Sequence, residues 1–250
     1  KWWYAKRDHD KNHICEFGSV DGTLVAAAWE SGMDNAIRFD GTKMLQNGPD
    51  AWSTDQESVD LNAYLSLEYT LLKKFAALLD EPFLLPDYRS MVADYFFDKK
   101  DGFFYDRRMN ATRDFVREAG CEGYIPFWAN IATKEQFAKA RKLLENKKKF
   151  STYIPFPTIA ADNPKYDPKG YWRGPIWLDQ TYYGIKGYRN YGEGKKADAY
   201  TDQVFRNIEG LTEGAPIYEN YDTHTGKPMQ ASHFSWSAAC LLMLYNDYGK

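Results

Sequence analysis

Thr54–Asp80, reading TDQESVDLNAYLSLEYTLLKKFAALLD, carries the strongest periodic signal in the chain. Leu61, Leu65, Tyr69, Leu72, Ala76 and Leu79 recur at three- and four-residue steps, the spacing that gathers side chains on one face of an α-helix. Thr54 followed by Glu57 fits a capping box that would open this helix. Working outward, similar patterns predict helices over Asp87–Phe97, Thr133–Glu145, Gly174–Tyr191, Lys195–Leu211 and His233–Tyr248. Lys1-Trp2-Trp3-Tyr4 reads as the end of another helix, and Asp101–Asp106 as a turn with a short strand. No alternating strand–helix pattern is present, so the fold class reads as all-α. Between the helices lie long segments, Phe150–Arg173 and Leu211–Ser232, of the kind that usually carry function.

Composition narrows the chemistry. Aromatic residues make up 17% of the 250 residues, with 8 Trp and 19 Tyr. Such rings stack on the apolar faces of sugars in carbohydrate clefts; core packing is the alternative use. The net charge is −3 and no basic block stands out beyond Lys147-Lys148-Lys149, which argues against a nucleic-acid partner. No apolar run approaches the ~20 residues of a membrane span. Cys15, Cys121 and Cys240 are widely spaced, match no zinc pattern and suggest no disulfide framework.

Two polar segments carry acids beside aromatic rings: Trp29-Glu30-Ser31-Gly32-Met33-Asp34-Asn35 and Ile217-Tyr218-Glu219-Asn220-Tyr221-Asp222. Both read as loops, because Asp and Asn near Gly tolerate tight turns. Glycoside hydrolysis needs such a pair, one acid to protonate the leaving oxygen and one carboxylate to activate water or attack directly. Asp34 is the candidate acid; burial against Trp29 and the like charge of Glu30 would raise its pKa. Glu219 is the candidate base. Glu30, Asp40, Glu213 and Asp222 compete, and spacing alone does not choose among them. Asp8-His9-Asp10-Lys11-Asn12-His13-Ile14-Cys15-Glu16 sets acids and an amide at alternate positions, as a calcium loop does, with a backbone carbonyl at Ile14. It departs from the EF-hand pattern at His13, which replaces a glycine, and at Ser19, where a bidentate Glu would stand.

Five motifs occur in order along the chain: Trp29–Asn35 (WESGMDN), Gln56–Asp60 (QESVD), Tyr171–Gln180 (YWRGPIWLDQ), Tyr218–Tyr221 (YENY) and Phe234–Ala238 (FSWSA). Together they resemble the catalytic domain of glycoside hydrolase family 63, the processing α-glucosidases and their bacterial relatives. The resemblance implies an (α/α)6 barrel and an inverting α-glucosidase acting on oligosaccharides, with Asp34 as general acid and Glu219 as general base. Inversion would set the two carboxyl groups ~6.5–9.5 Å apart. Trp172 and Arg173 fall where the family lines its sugar subsite. Trp29, Glu30, Asn35, Trp177, Asp179 and Trp236 join the expected substrate set, with core packing the alternative for Trp177 and Trp236. The resemblance also favours a structural calcium held by Asp8, Asp10, Asn12, Ile14 and Glu57.

Other outcomes of the family stay open, namely trehalase and mannosylglycerate or glucosylglycerate hydrolysis. So does a non-catalytic carbohydrate-binding fragment. A barrel of this type needs twelve helices, and only six or seven are read here. Residues 1–250 are therefore expected to form the C-terminal part of one barrel domain. The missing N-terminal helices are expected from the same polypeptide. No signal peptide is visible, while the resemblance favours a periplasmic or secreted setting.

Overall fold

The computed structural model describes residues 1–250. Nine helices and eight short strands follow in the order α1 (Trp2–Lys6), β1 (Glu16–Ser19), α2 (Leu24–Ser31), β2 (Met44–Gly48), β3 (Ala51–Glu57), α3 (Val59–Leu78), α4 (Arg89–Phe96), β4 (Phe97–Asp98), β5 (Phe103–Phe104), β6 (Arg107–Arg108), α5 (Ile125–Trp128), α6 (Lys134–Leu144), α7 (Leu178–Asn190), α8 (Gly194–Asn207), β7 (Tyr218–Tyr221), β8 (Pro228–Ser232) and α9 (Ser235–Asp247). Single 3-10 turns cover Ile37–Phe39 and Cys121–Tyr124. No helix is long and apolar enough to cross a membrane.

The fold is helix-rich, but not purely helical as expected. An antiparallel sheet of order β1-β3-β2, with β6 paired to the end of β3, sits at the start of α3. It takes Thr54 out of the helix. Thr54 pairs with Met44 across β2 and β3, and its hydroxyl donates to the Gln56 carbonyl. The helix begins at Val59, and its N-cap Ser58 makes no side-chain capping bond. The reason lies in Ala51–Glu57, whose Ser53, Thr54, Gln56 and Glu57 are all buried and find partners within the sheet region rather than at a helix end. Leu211–Ser232 is likewise not all loop, since it holds the β7–β8 hairpin. A complete capping box does occur at α6, where Thr133 accepts from the Gln136 amide and the Gln136 side chain accepts from the Thr133 amide.

Helices α3, α5, α7 and α9 are neighbours in that order, while α4 packs on α3 and α8 on α7. Phe127 of α5 meets Phe137 of α6 edge to face at 5.2 Å. Much of the aromatic content serves this core. Phe104 meets Phe127 at 5.4 Å, Tyr124 meets Phe156 at 5.5 Å, and Phe137 meets Tyr188 at 5.2 Å, all in T-shaped contacts, a geometry favoured by the ring quadrupoles. The predicted stripe on α3 is graded. Leu61 is buried, Leu65 half-buried, and Leu72 and Leu79 exposed together with Leu71, Phe75 and Leu78. The three cysteines are buried and free.

Candidate active site

The first acid segment is half helix. Thr23 caps α2 by accepting from the Ala26 amide, and the helix stops at Gly32, whose φ of 74° is left-handed. Glycine alone takes this conformation without a Cβ clash, and it turns the chain so that Asp34 sits on the turn beyond the helix end. Below that turn, Arg38 anchors the segment. Its guanidinium donates to both oxygens of Asp60, at 2.8 and 2.7 Å, and to Asp106 at 3.2 Å, with all three side chains buried. Buried Glu122 lies in the same charge cluster.

Burial raises the Asp34 carboxyl above its ordinary value, and the negative charge of Glu219 adds to the effect. The expected causes are different: Trp29 is 64% exposed on α2. Glu30 is neutralised by Arg7 at 2.7 Å and accepts the Gly18 amide at 2.6 Å. Glu30 therefore ties α2 to β1 and does not act on the acid.

Glu219 lies on β7. Its Oε1 accepts from the Tyr171 hydroxyl at 2.7 Å and its Oε2 from the Ala231 amide of β8 at 3.3 Å. Both donors hold the carboxylate in place. Burial and the Glu219 charge raise the Tyr171 phenol, so it stays protonated and able to donate. Tyr171 has a φ of 64°, a left-handed conformation that costs a non-glycine residue ~1–2 kcal/mol. Sequence reading cited Tyr171 only as part of a motif and did not single it out. Its hydroxyl pairing links positions 48 residues apart, and local sequence carries no signal of that.

Beside Tyr171 the rings form a continuous wall. Trp172 and Trp177 stack 4.0 Å apart at 12°, both about 3% exposed. Trp177 continues to Trp236 at 5.6 Å, which stacks on Phe234 at 5.9 Å. Trp236 is 43% exposed, so it ends the wall at the surface. Arg173 and Asn35 are joined to each other and not free: Arg173 donates to the Asn35 carbonyl at 3.2 Å and to both oxygens of Asp40 at 3.0 Å. Asp179 is buried, and desolvation raises its carboxyl to about 6. Its Oδ2 accepts from Gln180 at 2.8 Å and its Oδ1 has no partner.

The acidic loop near the N-terminus is only partly assembled as expected. Asp8, Asp10 and Glu16 offer oxygens within 4.8 Å of one another. Glu16, at the end of that loop but outside the expected ligand set, is fully buried and its Oε1 has no partner. Such a set of hard oxygen donors with an unsatisfied buried atom fits a calcium-type cation. Glu57 is engaged elsewhere. It accepts from Asn12 Nδ2 at 2.8 Å, from Arg113 at 2.9 Å and from the Tyr95 hydroxyl. Asn12 Oδ1 accepts the Ile14 amide at 2.8 Å. Arg113 also pairs with Asp10.

Comparison with known proteins identifies the family. A family profile for the mannosylglycerate hydrolase MGH1-like glycoside hydrolase domain matches residues 1–237. Mannosylglycerate hydrolase of Thermus thermophilus is 24% identical, over 97% of this chain and 67% of its own length. The solved GH63 mannosylglycerate hydrolase from Thermus thermophilus in complex with glucose has a TM-score of 0.64 at 22% identity, over 76% of this chain and 45% of that one. Neutral trehalase Nth1 from Saccharomyces cerevisiae has a TM-score of 0.65 at 18% identity, over 90% of this chain and 42% of that one. The chain spans less than half the length of these two solved proteins. Motifs, fold and profile coincide, and the chain belongs to the family of mannosylglycerate hydrolase MGH1-like glycoside hydrolase domains.

Proposed function

We propose that this glycoside hydrolase domain cleaves an α-linked glycoside with inversion, Asp34 acting as general acid and Glu219 as general base. The observation that carries the reading is the different setting of two acids in one neighbourhood. Asp34 is pushed up by burial and by the charge of Glu219, while Glu219 is held by the Tyr171 hydroxyl and the Ala231 amide. A carboxyl raised above its ordinary value suits the proton donor, and a second carboxylate fixed by two donors suits the base. Tyr171 and the exposed Trp236 offer the sugar aromatic surface, and the buried Trp172–Trp177 stack packs behind them. The motif resemblance supports α-glucosides as substrates. The name of the Thermus relative supports mannosylglycerate or glucosylglycerate.

The test is kinetic, on a panel of those two glycerate glycosides and α-linked glucose disaccharides. Asp34→Asn and Glu219→Gln should each lower kcat by roughly 10²–10⁴, with thermal unfolding unchanged. In the wild type, kcat/KM should fall as pH rises through the raised pKa of Asp34, because the ionised acid has no proton to give. Near-wild-type rates in both variants would sink the assignment.

Calcium is proposed as a structural ion held by Asp8, Asp10 and Glu16. It would neutralise carboxylates that repel one another and would take no part in the chemistry. Addition of a chelator should then lower the melting temperature and added calcium restore it; no change in either direction would refute the ion. The order of α3, α5, α7 and α9 side by side, with partners packed behind them, supports an (α/α)6 barrel. The exposed apolar side of α3 is where barrel helices from the same polypeptide would pack.

A further inference from the structure

We propose that Asn35 positions the general base as well as the acid turn, by locking the segment Gly170–Trp172 so that Tyr171 delivers its hydroxyl to Glu219. The inference rests on the acid–base reading above. Asn35 follows Asp34 directly, yet its side chain makes no hydrogen bond along its own turn. Its Nδ2 donates to the Gly170 carbonyl at 3.0 Å, and its Oδ1 accepts the Trp172 amide at 3.0 Å. These two groups flank Tyr171. The Tyr171 carbonyl is held in turn by Trp177 Nε1 at 3.0 Å. The peptide groups around Tyr171 are thus pinned from two sides, and this residue is the one with a φ of 64°. A tyrosine seldom adopts that conformation unless its surroundings impose it. From there the phenol reaches Glu219 Oε1 at 2.7 Å.

Arg173 adds a second tie between the same two segments, donating to the Asn35 carbonyl and to Asp40. Asp40 also accepts from Lys165 at 3.1 Å. The acid turn and the base are therefore joined by a short path: Asp34 to Asn35 through the backbone, Asn35 to the Tyr171 segment through its amide, and Tyr171 to Glu219 through its hydroxyl. Asn35 touches neither the base nor, on this geometry, the reacting atoms. Its effect on the base passes through Tyr171.

A double-mutant cycle on the full-length protein tests this, with Asn35→Ala, Tyr171→Phe and their combination assayed on whichever panel glycoside is hydrolysed. Each single change should lower kcat roughly 10- to 100-fold, the scale of a misplaced catalytic group, with a smaller change in KM. The double variant should lose no more than the worse single one, since both interrupt one path. Asn35→Asp keeps the acceptor for the Trp172 amide and loses the donor for Gly170. It fits the same space and completes the cycle if the alanine variant does not fold. Losses that multiply in the double variant, or Asn35 variants that raise KM while leaving kcat unchanged, would overturn the proposal. Failure of the underlying acid–base reading has a separate signature, namely activity retained by Asp34→Asn and Glu219→Gln.

Discussion

Asp34 and Glu122 are two acids raised by burial and put to different uses. Asp34 is half-buried and shares its field with a second carboxylate across the cleft. Glu122 is fully buried, and desolvation raises it to about 8, with Arg38 opposing and Asp106 and Asp60 adding to the rise. One guanidinium therefore faces three buried carboxyls, and burial raises both Glu122 and Asp106 above the ordinary range. The folded-state value of Glu122 lies above the ordinary 4.5. Its contribution to stability is then fully present below that pH and is lost as pH rises towards 8. Glu122→Gln, which cannot ionise, should gain stability over the wild type as pH rises from 5 to 8. Urea unfolding at the two pH values measures this; parallel behaviour of the two proteins would contradict it. At this scale the sequence was informative about acids and silent about their partners. Asp34 and Glu219 stood out through motif context. Trp29 and Glu30, equally prominent in the same motif, turned out to face solvent and Arg7. Arg113 passed unnoticed and Glu16 stood in the acidic loop without a role: Arg113 pairs with Asp10 across 103 positions, and the place of Glu16 depends on the pairing of β1 with β3.

Elements were legible where periodicity was long and misread where polar residues were buried. The α4, α6, α7, α8 and α9 helices lie close to their expected spans, with α7 starting four residues later than predicted. The helix α3 was placed correctly by its apolar stripe, but its start was not. Thr54 and Glu57 have the capping-box spacing, and a strand occupies the same residues because β1, β2 and β6 pair with it. A local motif lost to non-local pairing, as propensity signals do when tertiary contacts outweigh them. The outer end of α3 makes its own prediction. Leu71, Leu72, Phe75 and Leu78 are exposed here, more apolar side chain than one solvated helix turn needs. If further barrel helices cover this face in the full-length protein, Phe75→Lys should cost about 3 kcal/mol there. A change within about 0.5 kcal/mol, as at ordinary surface sites, would argue against that cover.

At the scale of the molecule, helix content and family were within reach of the sequence, and the mixed architecture was not. The short strands β4, β5 and β6 are two residues each, too brief to register as a pattern. The larger sheet is built from polar residues that read as caps and loops. Yet these strands do the positioning. The β7–β8 hairpin carries Glu219, and the β1–β3 sheet backs the start of α3 and, through Glu30 and Arg7, the helix that leads to Asp34. The aromatic wall comes from the loop before α7 and the start of α9. The central claim is that Asp34 and Glu219 act on opposite sides of the sugar, with water delivered by the base. The most direct measurement is NMR of the hydrolysis of an α-linked glycoside, following the anomer of the free sugar before it equilibrates. Inversion predicts that the β-anomer appears first; first appearance of the α-anomer would contradict the account.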